Sequence, residues 1–216
     1  MFALAEQWEL RPQGSNPCRG IARYRERKME RYLTTEELAR LGAVLAEAEA
    51  ARIERPAVLV CLRLLLLTGA RLGEVLGLRW QDLDLERAQA FIPDAKTGDT
   101  WLRLSQATVA LLRRLGPTSD NPYVLPGKIR GHGLVNLNKP WARLWQRAGL
   151  DGVRLHDLRH TSASLAAGEG LSLPIIGAML GHRHQATTAR YAHLAPDPVQ
   201  QATEQVGALV ARALGG

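Results

Sequence analysis

Between Pro56 and Gly69 the chain reads Pro-Ala-Val-Leu-Val-Cys-Leu-Arg-Leu-Leu-Leu-Leu-Thr-Gly. A segment that is apolar nearly all round has no face to offer water, so as a helix it must be covered on every side. Proline pre-sets the backbone for a first helical turn, and glycine takes the left-handed conformation that ends one. The apolar stretch from Ala57 to Leu67 is broken by Arg63. It is also shorter than the ~20 residues needed to cross a bilayer. The expectation is a buried helix, which other elements must cover.

The neighbouring segments supply such elements. Thr34 followed by Glu37 is a capping box, with Leu38, Leu41 and Leu45 on one helical face behind it. Arg71 to Leu76 reads as a short helix. Ala88–Ile92 and Thr100–Leu104 read as short strands joined by a turn at Lys96-Thr97-Gly98-Asp99. Ser105 caps a helix to about Leu115, and Gly116 to Leu134 is rich in Pro, Gly and Asn, as a loop region is. Further helices are expected at about Leu137–Ala148, Asp157–Ala167, Leu173–Leu180, Thr187–Ala192 and Val199–Leu214. The plan is α+β, mainly α-helical, with one small antiparallel sheet.

The first 30 residues have a different character. Phe2 to Leu10 has the pattern of the end of an amphipathic helix, Pro12 to Pro17 breaks it, and Arg19 to Arg31 is polar and basic, as a linker is. The domain proper is expected to span 31–216, with a tail helix at about 197–214 in which Val206, Val210 and Leu214 share one face.

The formal charge is +7, from 28 basic and 21 acidic residues. Four of the basic residues are lysines (Lys28, Lys96, Lys128 and Lys139), and arginine supplies the rest. Planar guanidinium groups match phosphate oxygens in pairs, so the bias suits a nucleic-acid partner; it equally suits a GC-rich genome. Cys18 and Cys61 form no CxxC pair, which suits a reducing cytoplasm and argues against a disulfide scaffold. No phosphate-binding glycine loop, dinucleotide fingerprint or nucleophile elbow is present.

Three clusters carry the chemistry. Thr68-Gly69-Ala70-Arg71-Leu72-Gly73-Glu74 places an arginine at a helix start, where the backbone already favours an anion, with Glu74 positioned to hold its guanidinium. His156-Asp157-Leu158-Arg159-His160 puts His156 and Arg159 on one helical face. Leu180-Gly181-His182 leads through Thr187 and Thr188 to Arg190-Tyr191-Ala192-His193. A phenol of pKa near 10 becomes a nucleophile only beside a base or cations, and His182, His184, Arg190 and His193 are its neighbours in sequence. Lys96, at the tip of the strand turn, can donate a proton where arginine cannot. His156 and His160 also have the spacing of the zinc-protease helix, with Asp157 in place of glutamate and Arg159 between the ligands. That competing reading leaves the arginine unexplained.

In order and spacing these segments resemble the tyrosine recombinase, or phage integrase, family, over roughly residues 31–195. The resemblance implies the family's catalytic-domain fold with a three-stranded antiparallel sheet. It implies a site-specific DNA recombinase that cuts and rejoins double-stranded DNA through a 3′-phosphotyrosyl intermediate. Arg71, Arg159 and His182 would hold the non-bridging oxygens, Tyr191 would attack, and Lys96 would protonate the 5′-oxygen. His156 would assist as acid or base, and Glu74 would support Arg71. No cofactor or metal is implied. Residues 1–30 would be the last helix of the family's core-binding domain with its basic linker. The chain would work as a tetramer on DNA and be a monomer without it, in the bacterial cytoplasm and at the nucleoid when active. A DNA-binding remnant without recombinase activity and a type IB topoisomerase remain open beside this reading.

Overall fold

The computed structural model describes the whole chain except residues 23, 25–30, 94–97, 119, 183–184, 195–197 and 215–216. Lys96 and His184 therefore lie outside the described residues.

The helix predicted from the apolar run is present. It is α3 (Pro56–Thr68), with proline in its first turn and Gly69 closing it at φ 62°. Nine of its thirteen residues are buried. Around it lie α2 (Thr35–Ala50), α4 (Leu72–Gly77), α5 (Gln106–Leu115), α6 (Asn138–Arg147) and α7 (Leu155–Gly168). Thr34 and Glu37 form the expected reciprocal cap on α2. Its entry is also held from α7, because the backbone N–H of Leu33 donates to Thr161 Oγ1 at 3.0 Å. At the start of this strap the Arg31 guanidinium chelates Glu37, which lowers that carboxyl to about 2.

The sheet has three antiparallel strands in sequence order: β1 (Leu83–Asp84), β2 (Gln89–Ile92) and β3 (Thr100–Arg103). Ala90 pairs with Leu83 on one side and Leu102 on the other, and Phe91 packs its ring on Trp101 at 5.2 Å. Ala90 and Ile92 face the core, so this sheet closes the open flank of the bundle.

A second, smaller core gathers Ala163, Ala166 and Ala167 of α7, Ile176 and Leu180 of α8 (Leu173–Leu180), and Tyr191. The segment expected as one helix over Thr187–Ala192 divides into α9 (Gln185–Thr188) and a 3-10 stretch, Ala189–Leu194. Thr188 and Tyr191, three residues apart, are both tied down to other elements. Three residues per turn is the repeat that places them on one side.

Among the described residues, the two terminal helices add nothing to these cores. One is α1 (Phe2–Gln7). The other is α10 (Pro198–Ala213), whose Val206, Leu209 and Val210 are exposed, as is Leu214 just beyond it. No helix among the described residues is long and apolar enough to cross a membrane.

Candidate active site

Arg159 sits at the centre. It is only 4% exposed, in the middle of α7. Its two terminal nitrogens donate to the carbonyls of Gly69 and Leu180, both at 2.7 Å. One carbonyl belongs to the turn after α3 and the other ends α8, so a single guanidinium joins three helices. Packing tightens the same junction, because a methyl group on Gly69 would come within 2.7 Å of Leu180 Cδ2. Burial, and then repulsion from Arg71, lowers the Arg159 pKa to about 10, which leaves it charged at neutral pH. A buried cation is costly unless hydrogen-bonded, and two carbonyls satisfy part of its need. The remaining N–H groups suit an anion.

Arg71 caps α4, and its side chain is held where the sequence places it. Its backbone N–H donates to Glu74 Oε2 at 2.8 Å, and its guanidinium donates to Oε1 at 2.6 Å. The start of α7 repeats the device: Arg154 donates from its backbone and from its guanidinium to Asp157, both at 2.8 Å. The acidic partner in each case sits in the first helical turn, where a carboxylate also suits the helix dipole. Both helices that carry site arginines thus start from the same locked turn. Open clefts flank α4. One of about 670 Å³ is lined by Arg71, Glu74, Arg79 and Tyr123, and one of about 580 Å³ by Ala70, His156 and Arg159.

His182 follows the left-handed Gly181 that ends α8. Its Nδ1 bonds Thr188 Oγ1 at 2.8 Å, and Thr188 is 1% exposed. Burial first, then the positive charges of Arg159, Arg71 and Arg190, push the His182 pKa down to about 4. The ring is neutral at physiological pH. A neutral ring has one donor and one acceptor nitrogen, so the Thr188 bond bears on which face can donate.

Tyr191 is 5% exposed, its ring built into the second core. Its Oη lies 2.5 Å from Nδ1 of His160. His160 is 8% exposed, and burial, followed by His156 and Arg190, depresses its pKa to about 4. The His156 ring stands edge-on to His160 with centroids 4.8 Å apart. His156 is itself shifted down, by burial first and then Arg159.

The expected residues thus come together in large part. Arg71, Glu74, Arg159, His182 and Tyr191 converge, and His156 lies one ring away from the tyrosine. His193 is exposed, and Lys96 and His184 lie outside the described residues. Two members were missed. Sequence reasoning treated His160 only as a metal ligand and gave Thr188 no role. A signal existed for Thr188, three residues before Tyr191 in a tight turn; the His160 contact joins segments that are far apart in the chain.

Residues 31–197 match the Phage integrase family. The chain belongs to the phage integrase, or tyrosine recombinase, family. It is 30% identical over 167 residues to the shufflon-specific DNA recombinase of Escherichia coli, covering 76% of this chain and 40% of that protein. The integrase of Salmonella phage P22 is 27% identical over 156 residues, covering 66% of this chain and 40% of the integrase. The chain therefore spans about two-fifths of the length of these relatives. Among solved structures, XerA recombinase superposes with a TM-score of 0.62 at 26% identity, covering 81% of this chain and 64% of that one. The fold of a tyrosine recombinase catalytic domain is the one seen here.

Proposed function

We propose that this chain breaks and rejoins double-stranded DNA at specific sites, with Tyr191 as the nucleophile. The observation that carries the reading is the convergence of Tyr191, His182 and a buried, still charged Arg159 on one junction of helices. A phosphodiester placed there meets Arg71 and Arg159 as donors to its non-bridging oxygens, with the N–H of neutral His182 as a third. Aimed at charge that grows in the transition state, each such donor contributes roughly 3–4 kcal/mol. Attack by Tyr191 forms a 3′-phosphotyrosyl bond and releases a 5′-hydroxyl, with Lys96 supplying its proton. His156 assists from the cleft it shares with Arg159. The phosphotyrosyl bond retains the energy of the phosphodiester, so rejoining needs no nucleotide. The relative named a DNA recombinase supports the substrate class. The exposed apolar residues of α10 are a surface through which protomers could exchange tails in a tetramer on DNA.

The test is covalent capture. Nicked duplexes taken from the DNA flanking the gene are incubated with wild type and with Tyr191→Phe, and adducts are resolved on denaturing gels. Wild type is expected to give an adduct and Tyr191→Phe none. An adduct of equal yield from both variants overturns the assignment of Tyr191.

A further inference from the structure

Resting on that reading, we propose that His160 is a further catalytic residue, whose Nδ1 takes the phenolic proton of Tyr191 as Oη attacks phosphorus. The contact between the two is direct, at 2.5 Å, and both groups are buried, so bulk water is a poor rival for the proton. The tyrosine ring is fixed by the small core of α7 and α8, and the imidazole is carried on α7 itself, so neither partner needs to be found by diffusion. Two other histidines of the site are placed for different work. His182 bonds Thr188 through its Nδ1 and stands among the arginines, where a donor to phosphate is needed. His156 meets the cleft and touches His160 edge-on.

The step balances. The O–H bond of Tyr191 breaks as its oxygen bonds phosphorus, and the proton passes to Nδ1, leaving an imidazolium. The P–O5′ bond breaks with its electron pair on the 5′-oxygen, which takes a proton from Lys96. In rejoining, the 5′-hydroxyl returns its proton to Lys96 as its oxygen bonds phosphorus, the P–Oη bond breaks, and the proton on His160 returns to the departing phenolic oxygen. The groups facing His160 are His156, Asp157 and Arg154 from its own helix, and Arg190, Tyr191 and His193 from the tyrosine segment. His182 faces it from the turn after α8, and Arg31 from the strap before α2. Burial first, then His156 and Arg190, keeps the imidazole unprotonated and able to accept at neutral pH. A bound phosphodiester brings the negative charge that favours the imidazolium during the reaction.

Positioned proton transfer contributes about 10²–10⁴-fold. On a nicked duplex that wild type captures, His160→Gln is expected to slow adduct formation by that factor. Glutamine still offers an oxygen to hold the phenol but cannot carry the proton, so a merely anchoring role would survive the change. The loss should persist when the 5′-bridging oxygen is replaced by sulfur, a leaving group that needs no acid. A rate within about threefold of wild type, or recovery with sulfur, overturns the proposal. Absence of any wild-type adduct is instead a failure of the recombinase reading. The proton's position is then still decided by nitrogen NMR of the full chain. An unprotonated His160 Nδ1 whose signal moves in Tyr191→Phe supports the assignment, and a protonated or unmoved Nδ1 overturns it.

Discussion

Acid should unfold this protein through its histidines before its carboxylates. His160 moves from an ordinary 6.5 to about 4 on folding, with burial as the main cause. The unfolded chain therefore binds a proton at higher pH than the folded one, and stability falls as pH drops from 6.5 towards 4. At pH 5 the difference is about 2 kcal/mol for His160, rising to about 3 kcal/mol below pH 4. His182 shifts in the same direction to about 4 and adds to the loss. Glu37, lowered to about 2 by Arg31, works in a separate window: its stabilisation is present above 4.5 and lost as pH falls through 2. Urea titrations at pH 7.5 and pH 5 should thus isolate the histidines. Wild type is expected to lose several kcal/mol between them, and His160→Gln about 2 kcal/mol less. An identical acid loss in His160→Gln would refute the claim that a neutral, buried imidazole sits at that position.

Two more outcomes follow from the site. Gly69→Ala meets a left-handed backbone costing about 1–2 kcal/mol and a methyl group 2.7 Å from Leu180 Cδ2. With roughly 1–3 kcal/mol of overpacking, calorimetry should find a melting point lower by about 5–15 °C, and a shift under about 2 °C would contradict this geometry. Thr188→Val keeps the shape but removes the hydroxyl bonded to His182, so the rate of adduct formation should fall about tenfold or more. Thr188→Ser should restore most of it, and a valine variant as fast as wild type would show the hydroxyl to be idle.

Local rules made much of the scaffold legible. Thr34 with Glu37, Pro56 with Gly69, and Ser105 all mark helix ends through contacts within a few residues, which is why those ends were readable. Arg71 with Glu74 was readable for the same reason. The site's remaining detail depends on contacts between distant segments. Nothing within α7 indicates that His160, rather than His156, meets Tyr191, because the choice is made by how the 3-10 stretch docks on α7 and α8. That docking also tightens Ala189–Leu194 away from the α-helix its composition suggests. The loop-rich stretch after α5 was recognised as such, yet its bridge between Arg79 and Tyr123 joins positions with no shared pattern.

The partners of Arg159 are main-chain oxygens, at Gly69 and at Leu180. No substitution deletes a carbonyl, so drift in side-chain identity around the buried charge leaves its mooring in place. A change of length does not. One residue inserted in α3 or α8 turns the following carbonyl by about 100° around the helix axis and carries it 1.5 Å along, roughly. The guanidinium then loses a mooring that no compensating side chain easily replaces. Helix length, counted in whole residues, is the gauge that sets this site, and single-residue insertions and deletions in those two helices should be tolerated far less than substitutions on their surfaces.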